Sequence, residues 1–195
     1  MCETWIGLDI ETTGSDRDQH QMIQIGVAYG IGRTFVSDIG WASGKYNWTK
    51  QALAINKFTH ERIWAGPPAS DVDQRLYRFL TASGATKGSL VPVGWNVGTF
   101  DMPFVRETLP VTATLFGYRS TDLNSACFLL EGKGLPESMI ASKVPTWMDW
   151  KAMAKAHARD ILRNMGYEIK VHDAEYDAIE ALFAYQRLKY YAAEL

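Results

Sequence analysis

Strand-like and helix-like segments alternate along this chain, and that alternation restricts the possible fold more than any other feature of the sequence. Alternating or continuous apolar runs predict four strands, at residues 4–11, 22–29, 33–39 and 90–93. Apolar spacing, capping residues and a first-turn proline predict five helices, at residues 71–82, 102–109, 121–130, 149–165 and 173–192. Interleaved strands and helices are typical of an α/β protein, and the hairpin predicted around Gly30-Ile31-Gly32 makes its sheet a mixed one.

The segments between these elements indicate a single domain, residues 1–195, without a linker or an internal repeat. Either Ser70 or Asp71 is expected to cap the helix at 71–82, because short polar side chains accept hydrogen bonds from the free amides of a first helical turn. Residues 131–147 contain two glycines and two prolines, which predict an irregular connection.

The composition excludes several classes of protein. The chain has 195 residues, of which 47% are apolar and 22% charged, a globular mixture rather than a disordered one. Its longest stretch without Asp, Glu, Lys or Arg covers 14 residues, 19–32. A membrane span needs about 20 apolar residues, so none is predicted. Cys2 and Cys127 cannot form a disulfide framework, which favours a reducing, cytoplasmic setting. The net charge of −2 excludes polybasic binding of nucleic acid but not a local basic patch.

Two carboxylates interrupt the apolar pattern of the first predicted strand. Asp9 and Glu11 lie on the face opposite Ile6, Leu8 and Ile10, separated by about 6.6 Å along the strand. If that face is covered, each unpaired charge costs on the order of several kcal/mol. Two interpretations follow from these residues alone. Either the strand ends at Asp9 and both acids meet solvent at a turn, or the two acids belong to a functional site.

A third carboxylate lies on the apolar stripe of the last predicted helix. At 100° per residue, Ala181 and Ala184 fall within roughly 40° of Asp177, so this acid occupies the face expected to meet the core. A buried acid paired with one basic residue is one explanation. A metal ligand is the favoured one, because hard divalent cations bind several carboxylate oxygens together, and Asp9 and Glu11 can supply them.

Asp101 and His172 carry weaker signals. Asp101 lies two residues before Pro103, a position typical of a helix cap. His172 comes five residues before Asp177, at the start of the last predicted helix. Taken singly, neither residue indicates a function.

Three segments together resemble the motifs of the DEDD, or DnaQ-like, 3′–5′ exonucleases. Gly-Leu-Asp-Ile-Glu-Thr-Thr-Gly at residues 7–14 is similar to the first motif, and residues 94–101, which begin Gly-Trp-Asn and end in Asp, are similar to the second. His-Asp-Ala-Glu-Tyr-Asp-Ala at residues 172–178 matches the third motif in its histidine form, and the Asp at position 173 excludes the tyrosine form. Gln24 stands where many relatives carry Glu, a departure expected to leave the metal site untouched.

The resemblance implies a ribonuclease H-like fold, with a five-stranded mixed sheet flanked by helices. It also implies a metal-dependent 3′–5′ exonuclease that releases nucleoside 5′-monophosphates from single-stranded ends. In such an enzyme two Mg²⁺ or Mn²⁺ ions, about 3.5–4 Å apart, stabilise the attacking and leaving oxygens. A histidine side chain, whose ordinary pKa is about 6.5, can accept the proton of the attacking water at neutral pH. The resemblance assigns the metal sites to Asp9, Glu11, Asp101 and Asp177, and the general base to His172.

Five further residues are expected to contact the substrate. Residues 52–59 resemble a segment in which relatives carry Val-His-Gly or Val-Asn-Gly, and the other candidates lie in the first two motifs or on the helix that precedes the third. The predicted substrate-binding residues are Thr12, Asn56, Asn96, Lys155 and Arg159.

Four basic residues, here called the basic stripe, recur every fourth position of the helix at 149–165: Lys151, Lys155, Arg159 and Arg163. They cover one flank of about 120°. The stripe is either the solvated face of an amphipathic helix or a surface that guides a single strand through phosphate contacts.

Two other functions stay open. The chain is either an active nuclease or a nucleic-acid-binding module that has lost catalysis. A proofreading partner of a DNA polymerase is less expected, because only one helix follows the third motif. Single-stranded DNA and RNA are not distinguished, since no motif reports a contact to a 2′-hydroxyl group. No membrane partner is expected.

Overall fold

The computed structural model describes residues 3–30, 32–42, 47–131, 146–170 and 172–194. Within these ranges the strands are β1 (Thr4–Thr12), β2 (Met22–Ala28), β3 (Thr34–Asp38), β4 (Leu90–Gly94) and β5 (Thr121–Asp122). The helices are α1 (Lys50–Asn56), α2 (His60–Trp64), α3 (Ala69–Ala82), α4 (Asp101–Thr108), α5 (Pro110–Ala113), α6 (Leu123–Leu130), α7 (Trp147–Asn164) and α8 (Ala174–Glu194). None of these helices is long and apolar enough to cross a membrane.

The strands form one mixed sheet in the order β3-β2-β1-β4-β5. β2 pairs antiparallel with both β1 and β3, and the predicted hairpin closes where the Tyr29 amide donates to the Arg33 carbonyl at 2.9 Å. β4 pairs parallel with β1 and β5, so the carboxyl ends of these three strands lie at the same edge of the sheet. The predicted five-stranded mixed sheet flanked by helices is confirmed.

Two predicted helix starts were wrong for local reasons. Residues 121–130 do not form one helix, because Thr121–Asp122 pairs with β4 and Asp122 then caps α6 by accepting hydrogen bonds from two backbone amides. α3 begins at Ala69, so neither Ser70 nor Asp71 caps it. Pro68 occupies the cap position and makes no side-chain bond there.

The apolar pattern of the sequence did not predict the three short helices. α1, α2 and α5 have 7, 5 and 4 residues, too few to show an apolar period.

α7 begins at Trp147, two residues before the predicted start, because Thr146 and Asp149 form a reciprocal capping box. Of the irregular connection predicted at 131–147, residues 132–145 lie outside the described residues.

The sheet separates two apolar clusters. Ile6, Leu8 and Ile10 of β1 pack into the cluster that also contains side chains of α3 and α4. The opposite face carries α6, α7 and α8, whose cluster includes the fully buried Trp150 and Ala178. Because side chains alternate along a strand, the second set of β1 residues faces α8.

Two glycines let α8 lie directly on β1 and β2. A Cβ atom on Gly7 would overlap the carbonyl oxygen of Ala178, and one on Gly26 would overlap the carbonyl oxygen of Ala174. Any larger residue at either position would therefore force the helix away from the sheet. This close approach places the first turns of α8, which carry Asp177, beside the acids of β1.

Candidate active site

β1 places two acids on the face that α8 covers. Asp9 is half-buried and Glu11 is buried. The strand does not end at Asp9 but continues to Thr12, with Glu11 opposite Gln24 of β2. The interpretation in which both acids meet solvent at a turn is therefore wrong.

Asp177 and His172 join these acids from the start of α8. The backbone amide of His172, in a left-handed conformation with φ 64°, donates a 2.9 Å hydrogen bond to Oδ2 of Asp177. The side chain of His172 is exposed, and that of Asp177 is half-buried. One ligand atom from each of Glu11, His172 and Asp177 lies within 4.8 Å of the other two. These three residues can therefore hold a metal ion.

Asp101 reaches the same strand from α4. It is buried at the first position of that helix, and its Oδ1 accepts a 3.2 Å hydrogen bond from the amide of Ile10. Ile10 lies between Asp9 and Glu11, so the bond ties α4 to the acidic part of β1. Phe100 occupies the N-cap position, and the helix-cap interpretation of Asp101 is therefore wrong.

Burial first, and then the proximity of other acids, raises the pKa values of these carboxyl groups. Burial, and then the charges of Asp101, Asp177 and Glu11, raise the pKa of Asp9 well above its ordinary value. Burial and the charge of Asp177 raise the pKa of Glu11 to about 7. Burial and the charge of Glu180 raise the pKa of Asp177 to about 6. Burial raises the pKa of Asp101, against hydrogen bonds from backbone amides. A divalent cation would remove the repulsion that these shifts report.

Comparison with solved structures finds the same architecture in exonuclease I. The crystal structure of E. coli exonuclease I in complex with a dT13 oligonucleotide matches with a TM-score of 0.66 at 19% identity, covering 98% of this chain and 42% of that chain. The product-bound structure of exonuclease I matches with a TM-score of 0.64 at 17% identity, covering 99% of this chain and 45% of that one. This chain has the ribonuclease H-like fold of exonuclease I.

The zinc-bound form of the complex between E. coli exonuclease I and single-stranded DNA also matches, with a TM-score of 0.62 at 19% identity, covering 96% of this chain and 40% of that one. No family model and no curated protein matches the sequence. The chain spans less than half the length of the exonuclease I chains it matches. The comparison therefore confirms the expected fold, while the roles of individual residues rest on their geometry.

The basic stripe of α7 meets a buried acid on α8. Glu180 is 1% exposed; Nζ of Lys155 lies 3.1 Å from its Oε1, and Nε of Arg159 donates a 2.6 Å hydrogen bond to its Oε2. The positive charges of Lys155 and Arg159 oppose the rise in the pKa of Asp177, and that of Lys155 also opposes the rise in the pKa of Asp9. The side chains of Lys155 and Arg159 thus influence the acidic site electrostatically, but both are paired with Glu180 inside the protein. Their contact with substrate stays a prediction.

A cleft of about 310 Å³ opens beside Glu11. Thr12, Asn56 and Phe100 contribute to its lining. Nδ2 of Asn56 donates to the Thr12 carbonyl at 3.0 Å, and Oδ1 accepts from the amide of Phe58 at 3.1 Å. The amide group of Asn56 therefore fixes the end of α1 against β1. Two of the predicted substrate-binding residues, Thr12 and Asn56, meet in this cleft.

Asn96 lies elsewhere, in an amide and lysine cluster beyond the end of β4. It has φ 64°, and its Oδ1 accepts a 2.7 Å hydrogen bond from Nδ2 of Asn124. Nζ of Lys151 donates to Oδ1 of Asn124 at 2.9 Å. The ammonium groups of Lys151 and Lys155 lie 4.7 and 5.1 Å from the ring centre of Trp95, within the range of a cation–π contact. The loop that carries Trp95 and Asn96 leads directly to the helix of Asp101.

Gln24 positions α8 in this exonuclease I fold, a role that the sequence did not suggest. It is 2% exposed, and its Oε1 accepts a 2.9 Å hydrogen bond from the amide of Ala174. Its Nε2 donates to Oδ1 of Asp38 at 2.8 Å. The bond to Ala174 satisfies one of the free amides at the start of the helix. The sequence feature that could have indicated this role is a single amide side chain within an apolar strand.

Proposed function

We propose that this chain is a metal-dependent 3′–5′ exonuclease of the DEDDh type, which hydrolyses phosphodiester bonds at the 3′ end of a single strand and releases nucleoside 5′-monophosphates. One observation carries the proposal: four carboxylates and a histidine converge beside the carboxyl end of β1, in a fold shared with exonuclease I. These residues are Asp9, Glu11, Asp101, Asp177 and His172.

The four carboxylates are the proposed ligands of two divalent cations. Carboxylate oxygens are the donors that Mg²⁺ and Mn²⁺ prefer. The raised pKa values of Asp9, Glu11 and Asp177 support this assignment, because neighbouring acids that resist ionisation become ionised when positive charge arrives. When bound, the two cations would activate a water and stabilise charge on the attacking and leaving oxygens.

His172 is the proposed general base. Its ring is exposed on the turn before α8, where it can reach a water at the acidic site. Its backbone amide is anchored to Asp177, so the turn is held while the ring stays free to accept a proton. A ring nitrogen of His172 also lies close enough to Glu11 and Asp177 to bind a metal.

The cleft beside Glu11 is the proposed site of the terminal nucleoside. Thr12 and Asn56 shape one wall, and the exposed Ile55 contributes apolar surface to it. The remaining predicted substrate-binding residues, Asn96, Lys155 and Arg159, would contact phosphate oxygens close to the acidic site. Single-stranded DNA is the favoured polymer, since several of the matched exonuclease I structures contain a DNA oligonucleotide.

The proposal is tested with matched oligonucleotides of DNA and RNA, labelled at either the 3′ or the 5′ end. We expect mononucleotides to be released from the 3′ end with Mg²⁺ or Mn²⁺, and no release in EDTA. Activity that persists in EDTA would exclude the two-cation mechanism. Binding without hydrolysis in either metal would instead identify a catalytically silent nucleic-acid-binding module.

A further inference from the structure

Four aromatic rings form a second cleft, here called the aromatic cleft, beside α1 and α2. Its lining residues are Trp41, Trp48, His60 and Trp64, and it has a volume of about 300 Å³. The ring of Trp48 lies edge-on to that of His60, with ring centroids 4.1 Å apart. The ring centroids of Trp41 and Trp64 are 6.1 Å apart. The cleft is therefore a preformed arrangement of rings rather than a scatter of surface residues.

The rings are exposed although they are large. Trp64 is 63% exposed and Trp48 is 46% exposed. Beneath them, Ile23, Phe58 and Ile63 form a small buried cluster against which Trp41 packs, so the two helices are held to the sheet independently of the exposed rings. Contiguous exposed apolar surface of this kind usually marks a binding site.

The aromatic cleft adjoins the cleft of the proposed active site. Trp48 is followed by Thr49, whose amide donates a 2.8 Å hydrogen bond to the carbonyl of Thr13. Thr49 also lines the cleft that contains Glu11. Thr13 follows Glu11 by two residues, about 7 Å along an extended chain. A strand whose end lies in the first cleft can therefore continue to the second.

We propose that the aromatic cleft binds a base of the same single strand, by stacking it against Trp48 and Trp64. This inference rests on the proposed function. Among the residues that the structure describes, the lining is four rings without an Asp, Glu, Lys or Arg side chain, which suits the π face of a base rather than a phosphate. Stacking of this kind tolerates any base, as an exonuclease that degrades a strand stepwise requires. The exposed Lys50 and Lys57 at the two ends of α1 add positive charge near the path between the clefts.

The first test is binding without chemistry. Anisotropy of a 5′-fluorescent oligo-dT is measured in EDTA for the wild type, Trp48→Ala, Trp64→Ala and the matched control Trp5→Ala, whose indole is 41% exposed at the opposite end of β1. We expect Kd to rise about fivefold or more for Trp48→Ala and Trp64→Ala. Trp48→Phe should recover most of the loss, because it keeps a ring face. The dependence of log Kd on log salt should not change, since no phosphate contact is removed.

The second test locates the stacked base. A series of oligonucleotides carries one abasic residue at successive positions from the 3′ end. We expect one abasic position to weaken binding to the wild type and to have no further effect on Trp48→Ala or Trp64→Ala. A uniform response across positions, or Trp64→Ala binding as tightly as Trp5→Ala, would overturn the inference and leave the aromatic cleft as a protein-docking surface. A wild type that neither binds oligonucleotide in EDTA nor releases mononucleotides with Mg²⁺ or Mn²⁺ would overturn the proposed function instead.

Discussion

The backbone amide of His172 is hydrogen-bonded to Oδ2 of Asp177 at 2.9 Å, so one carboxylate both faces the other acids and fixes the turn that carries the histidine. His172 has a left-handed backbone conformation, and this bond provides its amide with a hydrogen-bond acceptor. A substitution at Asp177 therefore changes two things, the charge of the site and the position of the turn. The two effects can be separated by the choice of replacement.

Asp177→Asn keeps an acceptor for the His172 amide, whereas Asp177→Ala removes it. We expect both variants to lose most turnover with Mg²⁺, because each loses a charged ligand. Loss of a charge that raises the pKa values of Asp9 and Glu11 should raise the Tm in EDTA, and by more for Asp177→Asn, because only this variant keeps the acceptor of the His172 amide. Asp177→Asn with nearly normal turnover would contradict the assignment of this residue to the metal site.

Replacement of His172 separates a base from a ligand. We expect His172→Ala to bind oligonucleotide and Mn²⁺ nearly as the wild type does, while kcat falls by about 10²–10⁴-fold, the usual range for a general base. His157→Ala, on α7, is the matched control. Calorimetric titration with Mn²⁺ checks the metal affinity, and a parallel loss of that affinity would make His172 a ligand.

The raised pKa values predict an unusual pH dependence of stability. The folded protein holds a proton on Glu11 up to a pKa of about 7, whereas the unfolded chain releases it near the ordinary value of 4.5. Between these values the folded state binds more protons, so stability must fall as the pH rises. Glu11 alone accounts for a loss of up to roughly 3 kcal/mol across this window. Asp177, with a pKa of about 6, changes stability in the same direction.

This dependence is checked by thermal unfolding in EDTA at constant ionic strength. We expect Tm to decrease from pH 5 to pH 7.5 and the decrease to shrink when saturating Mn²⁺ is present. Glu11→Gln should flatten the profile, whereas Glu168→Gln, which changes an exposed acid, should not. A flat wild-type profile would mean that the acids are more hydrated than their burial indicates.

Gly26 offers a test of the contact that positions α8. The methyl group added by Gly26→Ala would overlap backbone atoms of Ala174 and Glu175. These atoms can move away only if α8 itself shifts. We expect a loss of stability above about 3 kcal/mol and a loss of turnover, because α8 carries Asp177. Gly88→Ala is the comparison: it has open space but a φ of 70°, so it should cost only about 1–2 kcal/mol.

The sequence predicted the parts of the site that depend on local pattern. The period of two in β1 placed Asp9 and Glu11 opposite the apolar face, and the helical period placed Asp177 toward the sheet. The pattern did not predict the burial of Glu180, because that depends on how α7 packs against α8, and neither helix shows this alone. The same holds for Gln24, whose partner is 150 residues away.

Short elements were missed for a different reason. β5 has two residues, and its pairing with β4 is visible only once the sheet exists. The aromatic cleft is likewise a tertiary feature, since Trp41 and Trp64 come together only after α2 packs against Ile23 of β2. Long-range contacts of this kind leave no period in the sequence.

The basic stripe requires a test that allows for Glu180. Lys155→Gln alone would leave this 1% exposed carboxylate with Arg159 as its remaining ion pair, so a defect could reflect stability rather than substrate binding. The double variant Lys155→Gln, Glu180→Gln removes one charge of each sign. We expect it to recover the Tm that the single variant loses.

If Lys155 also contacts a phosphate of the strand, both variants should show a slope of log K against log salt that is smaller by about 0.7 than that of the wild type. We expect this reduced slope, a raised KM and a nearly unchanged kcat, since the contact would hold the strand rather than the reacting atoms. Arg163→Gln is the control on the same helix, because its partner Asp160 is 67% exposed and its loss leaves no buried charge. An unchanged slope in the double variant, together with a recovered Tm, would show that Lys155 serves only to neutralise Glu180 beneath the acidic site.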